Sequence, residues 1–207
     1  MSARRFGSLL LVVLACALPA ARAMPTAASI AAALREIDTT RNQAISPAEW
    51  QAASFALFRA TDKNDNHFID ADELKASALA QDTFRRLDAD HDGRLSIDEF
   101  MKLRREIFVI ADYNHDDYVT LVEFELLALY EAVGWRERDE VHRLPVAQLP
   151  LVLAKAFALL DENKDGQLDP TEAAYMQPER YLRFDRDQDG KLSAEELSTG
   201  YRKEFEA

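Results

Sequence analysis

The chain has 207 residues, 37 of them acidic and 25 basic, for a formal net charge of −12. So acidic a composition leaves no basic stripe to neutralise phosphates, which excludes a nucleic-acid binder. One cysteine, Cys16, excludes a disulfide framework, and the length suits one large or two small domains.

Residues 1–23 read as an export signal. Arg4 and Arg5 form a positive start, residues 9–18 an apolar run, and Ala21-Arg22-Ala23 a small-residue cleavage site. The run is shorter than the roughly 20 residues a membrane span needs. Cleavage there removes Cys16 and three arginines, taking the net charge from −12 to −15. Val13-Leu14-Ala15-Cys16 also resembles a bacterial lipobox, which would instead leave a lipid anchor on Cys16. The expected location is exported, either periplasmic or secreted, with a lipid-anchored envelope protein as the alternative.

From residue 38 onward a twelve-residue window recurs, opened by aspartate and closed by glutamate. The windows begin at Asp38, Asp62, Asp88, Asp112, Asp161 and Asp185, at steps of 24, 26, 24, 49 and 24 residues. Oxygen-bearing groups fall at alternate positions, the spacing with which a tight loop gives a calcium ion six to eight hard oxygen ligands and a bidentate closing glutamate. Position 7 contributes its backbone carbonyl, so its side chain is unconstrained.

In chain order, the first window offers Asp38, Asn42 and Glu49, with Thr40 and Gln43 departing from the pattern. The second offers Asp62, Asn64, Asn66, Phe68, Asp70 and Glu73, and the third Asp88, Asp90, Asp92, Arg94, Ser96 and Glu99. The fourth offers Asp112, Asn114, Asp116, Tyr118 and Glu123. The fifth offers Asp161, Asn163, Asp165, Gln167, Asp169 and Glu172, and the sixth Asp185, Asp187, Asp189, Lys191, Ser193 and Glu196. The sharp turn at position 6 favours glycine, found as Gly93, Gly166 and Gly190; His67 and Asp117 are types that tolerate a positive φ.

These windows resemble the loops of the EF-hand family. The resemblance covers nearly all of residues 38–196 and implies an all-α fold of helix-loop-helix repeats, calcium as the bound ion, and no chemistry of its own. It also implies short β-bridges between paired loops through the apolar eighth position: Ile45, Ile69, Leu95, Val119, Leu168 and Leu192. The chain then divides into a signal over 1–23, four loops over 24–134 (the first degenerate), a linker or decayed repeat over 135–149, and a C-terminal pair over 150–207. Gly134 ends the helix before that linker, and Pro150 suits the start of the next.

The segments between loops carry helical periodicity, as at Phe100, Leu103, Ile107 and Ile110. Only 12 to 14 residues separate neighbouring loops within a pair. As one helix, such a segment places neighbours at opposite ends, leaving loops to pair with next-but-one partners. Broken in two, it lets neighbours face each other. Pro178 breaks the segment between the last two loops, so that pair folds back on itself. Residues 50–61 and 100–111 contain no breaker, and both arrangements stay open.

His67, His91 and His115 occupy positions that do not ligate, and no nucleophile, base and oxyanion-donor set can be assembled. The expectation is a non-enzymatic calcium buffer or calcium-stabilised binding module. The alternative is a sensor, or a regulatory or adhesion protein with an unidentified envelope partner. Only Met24, Met101 and Met176 remain after residue 23, too few for an adaptable methionine-rich groove.

Overall fold

A computed structural model describes residues 26–73, 84, 87–132 and 149–206. The expected export signal over 1–23 with Cys16, Gly134, and residues 135–148 of the linker or decayed repeat lie outside these residues. The fold is all-α. Helices α1 (Ala27–Ile37), α2 (Pro47–Thr61), α3 (Ile97–Ala111), α4 (Leu121–Ala132), α5 (Leu149–Leu160), α6 (Pro178–Phe184) and α7 (Ala194–Glu206) flank the acidic loops. Short strands lie within the loops: β1 (Ala44–Ile45), β2 (Phe68–Asp70), β3 (Arg94–Ser96) and β4 (Val119–Thr120). Among the described residues no helix is long and apolar enough to cross a membrane.

Each loop is bounded by its own chemistry. Its first residue caps the incoming helix: the N–H groups of Asp38, Asp62, Asp112, Asp161 and Asp185 donate to the carbonyls of Leu34, Phe58, Phe108, Phe157 and Tyr181 at 2.8–3.0 Å. In every loop but the one opened by Asp161, which runs on into turns over 170–175, the ninth residue precedes an outgoing helix. Ser46 and Ser96 are N-caps whose hydroxyls accept from the amides of Glu49 and Glu99, while those glutamates accept from the cap amides in return. This reciprocal box satisfies two of the N–H groups a helix start leaves open.

The unbroken helices α2 and α3 settle how the first four loops pair. Fifteen residues as one helix extend about 22 Å, so loops 38 and 62 lie at opposite ends of α2, and loops 88 and 112 at opposite ends of α3. The two helices pack antiparallel. Trp50 sits on Phe108 with centroids 5.9 Å apart, Ser54 accepts from Nε of Arg104 at 2.9 Å, and Phe58 meets Phe100 edge-on at 5.5 Å. Each step of four along α2 is matched by a step of four back along α3.

Antiparallel packing brings loop 62 to loop 88 at one end and loop 38 to loop 112 at the other. Strand β2 pairs with β3 through Ile69 and Leu95, and β1 with β4 through Ile45 and Val119. The pairing is therefore nested, second with third and first with fourth. The sequence expectation of next-but-one partners for unbroken helices is corrected: it took the shared helices as spacers and left out that they lie against each other.

In the last pair Pro178 opens α6, a helix of seven residues, and the chain turns back as expected. Leu168 and Leu192 exchange backbone hydrogen bonds at 2.8 and 2.9 Å. Pro150 falls in the first turn of α5. One apolar cluster runs from Ile30, Leu34 and Ile37 through Leu103, Ile107, Leu126 and Leu129 to Val152, Leu153, Leu192, Leu197 and Tyr201. A smaller cluster of Phe58, Ile69, Leu95, Phe100 and Met101 seals the pair of loops 62 and 88.

Candidate metal centres

All six loops adopt one backbone. The fourth and sixth residues are left-handed throughout, with φ of 59–62° at Arg41, Asp65, His91, His115, Lys164 and Gln188 and 65–84° at Gln43, His67, Gly93, Asp117, Gly166 and Gly190. This curls the chain around the opening aspartate. The sixth N–H donates to its Oδ2 at 2.8 Å in loop 38, 2.9 Å in loop 62, 3.1 Å in loop 88, 3.2 Å in loop 112, 3.0 Å in loop 161 and 3.1 Å in loop 185.

The closing glutamate spans the loop. One oxygen accepts from the ninth-residue amide at 2.8–3.0 Å. The other accepts from the second or third amide, for example Lys63 and Ala89 at 2.7 Å and Arg186 at 2.9 Å. Both oxygens are thus held across the loop, as bidentate ligation of one ion requires.

The opening aspartates Asp38, Asp62, Asp88, Asp112 and Asp185 are buried, as are the closing Glu49, Glu73 and Glu123. In loop 88 the carboxylate oxygens of Asp88, Asp90 and Glu99 lie within 4.8 Å of one another; in loop 185 those of Asp185, Asp187 and Glu196 do the same. Three carboxylates that close repel unless a cation stands among them. Oδ1 of Asp185 is buried with no hydrogen-bond partner, which suits an oxygen that ligates a cation. These are positions 1, 3 and 12 of the sequence pattern, so the residues present fit the ion.

Local fields differ between loops. Burial works to raise the carboxyls of Glu99 and Glu196, but the bonds they accept outweigh it and hold both below the usual range. At Glu123 burial wins over the bonds from Thr120, Asn114 and Tyr113 and pushes the carboxyl up. At Glu49 burial is again the largest influence. There the bonds from Ser46, Thr40 and Thr39 overcome it and bring the carboxyl down to about 2.

Loop 38 is satisfied from within. The Thr39 hydroxyl donates to Oε1 of Glu49 at 3.0 Å, and the Thr40 hydroxyl to Oδ1 of Asp38 at 3.2 Å. These two hydroxyls come from the second and third loop positions, whereas in loops 88, 112 and 185 the hydroxyl that donates to the closing glutamate is that of the ninth residue.

Some predicted ligands are engaged elsewhere. Oδ2 of Asp165 accepts from the Lys191 ammonium at 2.7 Å, and Oδ2 of Asp70 accepts from the amides of Asn64 and Asn66 at 3.0 and 2.9 Å. In loop 62 the close group is Asp62, Asp65 and His67, within 4.8 Å. Sequence reasoning passed over Asp65 and His67 because they sit at positions 4 and 6, outside the alternating series. It also passed over Thr120, whose hydroxyl donates to Oε2 of Glu123 at 2.8 Å. The Thr-x-x-Glu capping pattern was the signal available for it.

Three segments, residues 80–103, 153–172 and 182–200, match the EF hand family model. They contain or overlap the loops opened by Asp88, Asp161 and Asp185, the three with glycine at position 6. No curated protein matches the chain. With all-carboxylate clusters in loops 88 and 185, a closing glutamate placed for bidentate ligation and this family match, the ion that these loops suit is calcium.

Proposed function

We propose that the protein is an exported, non-enzymatic calcium-binding protein that takes up five ions, in the loops opened by Asp62, Asp88, Asp112, Asp161 and Asp185. The observation that carries this reading is the shared loop backbone. All six loops have the same left-handed positions and closing-glutamate bridge, and in loop 38 hydroxyls from the second and third positions donate to the closing and opening carboxylates. It is the structural partner of loop 112. Calorimetric titration of residues 24–207 with calcium, and separately with magnesium, tests the count. Six ions would return loop 38 to the binding set, and three would mean that glycine at position 6 is required.

A buffer or calcium-stabilised module is favoured over a sensor. The large exposed apolar side chains Ile97, Val109, Tyr118, Leu159 and Leu182 are spread over α3, loop 112, α5 and α6. A sensor needs a groove that opens on binding. A polarity-sensitive dye that brightens with calcium would support the sensor; a flat response supports the buffer. Mass spectrometry of the mature N-terminus separates cleavage after Ala23 from lipidation of Cys16.

A further inference from the structure

Loops 112 and 185 share no strand pairing, since loop 112 pairs with loop 38 and loop 185 with loop 161. They are nevertheless joined twice by side chains. Glu125 lies two residues past Glu123, the closing ligand of loop 112, on the same turn of α4. Its carboxylate is fully buried and pairs with the Arg180 guanidinium, itself only 9% exposed. Arg180 belongs to α6, whose last residue, Phe184, precedes Asp185, the opening ligand of loop 185. On the other side Tyr113, second residue of loop 112, stacks on Phe205 of α7 with centroids 4.4 Å apart. The outgoing helix of loop 112 thus holds the incoming helix of loop 185, and loop 112 itself holds the outgoing helix of loop 185.

We propose that Glu125 and Arg180 are positioning residues that couple the ion sites of loops 112 and 185, so that an ion in either raises the affinity of the other. The proposal rests on calcium binding at both loops. An ion in loop 112 fixes Glu123, hence the first turns of α4 and the place of Glu125. The buried pair then fixes Arg180, because parting two charges in a dry interior is costly. Arg180 in turn sets the seven-residue helix that ends at Asp185. The hydroxyls of Tyr175 and Tyr201 are buried, act on each other, and lie within the electrostatic reach of Glu125 and Arg180.

The test is a calcium titration of the full chain followed by NMR, reading the Asp117 amide for loop 112 and the Gly190 amide for loop 185. Each donates to the opening aspartate of its own loop. Glu196→Gln, which disables loop 185, is expected to weaken binding at loop 112 by about five-fold or more, and Glu123→Gln to weaken loop 185 by the same factor, because coupling is reciprocal. In Glu125→Gln/Arg180→Met the effect of Glu196→Gln is expected to shrink below about two-fold, and Arg180→Lys, which keeps the charge, to restore part of it. An unchanged loop 112 affinity in Glu196→Gln, or full coupling in the double variant, overturns the proposal. Should the double variant fail to fold, the Glu196→Gln comparison in the native background decides alone. Independent binding at both amides sinks only the coupling; amides that ignore calcium sink the binding reading and the coupling with it.

Discussion

An aspartate at the C-terminal end of a helix sits against the negative end of the helix dipole, which costs roughly 0.3–1 kcal/mol. All six opening aspartates are in that position, and Oδ1 of Asp185 has no partner as well. Asp185→Asn is therefore expected to act in opposite directions. In chelator it raises stability by up to about 1 kcal/mol; in calcium it lowers stability by removing a charged ligand. Thermal unfolding of the variant and the native chain under both conditions checks this through the crossing of the two differences. Glycines divide by cause. Gly190 has φ +84° with open space around it, so Gly190→Ala costs roughly 1–2 kcal/mol through backbone strain alone. A Cβ on Gly200 would fall within 2.6 Å of the Phe184 ring. Gly200→Ala thus forces helix α7 off α6 and destabilises by about 1–3 kcal/mol, despite alanine's higher helix propensity. Chemical denaturation in calcium measures both, and only Gly190→Ala is expected to weaken calcium binding at loop 185 in proportion to its strain. The residue scale is where the sequence was most legible, because ligand type and spacing are local. The left-handed fourth position was not legible. Arg41, Asp65, His91, His115, Lys164 and Gln188 share no side-chain property that announces it, and the ring of amides around the aspartate imposes it.

At the scale of elements, one glutamate serves both the ion and the helix. Glu99 closes its loop and is the third residue of α3, where a negative charge is favourable. Ser96→Ala removes the cap of α3 and a hydrogen bond to Glu99 at 2.8 Å. The expected cost is about 1 kcal/mol of stability with a loss of calcium affinity confined to loop 88 and its partner loop 62. Calorimetry with calcium measures both. The nested pairing gives a sharper expectation. Glu123→Gln empties loop 112 and is expected to shift the amide of Ile45, across the β1–β4 bridge, while leaving Ile69 and Leu95 in place. Glu73→Gln is expected to do the converse, and amide NMR in calcium reads both. A response of Leu95 to Glu123→Gln would contradict the nesting. The fold-back of the last pair was legible because Pro178 is a local stop. The nesting was not, because it depends on α2 lying antiparallel on α3 through Trp50, whose indole N–H donates to the Arg104 carbonyl at 2.7 Å, a contact 54 residues apart.

At the scale of the molecule, the start of the described chain is tied to the segment between the last two loops. The Ala27 amide donates to the Ala174 carbonyl at 2.7 Å, and Nε2 of Gln177 donates to the Ala27 carbonyl at 3.0 Å, across 150 residues. The main apolar cluster draws on α1, α3, α4, α5 and α7 alike. A core shared in this way loses packing along its length when the last loop pair loosens, so calcium bound at the C-terminal loops stabilises α1 near the N-terminus too. Each site filled to a hundred times its dissociation constant adds about 2.7 kcal/mol. A chain of this size gains roughly 2–4 °C per kcal/mol, so a single filled site is worth about 5–11 °C. Chelation also returns the crowded carboxylates of a chain at −12 to mutual repulsion. Calcium removal is therefore expected to lower the unfolding midpoint by more than about 10 °C and to enlarge the hydrodynamic radius. In calcium the shared core predicts one cooperative transition, with the Trp50 indole N–H and the Gly190 amide, both followed by NMR, reporting the same midpoint. Two separated midpoints would show that the four-loop region and the last pair unfold as independent units, whatever core they share. Identical circular dichroism and radius with calcium and with chelator would remove the ion from the folding equilibrium altogether.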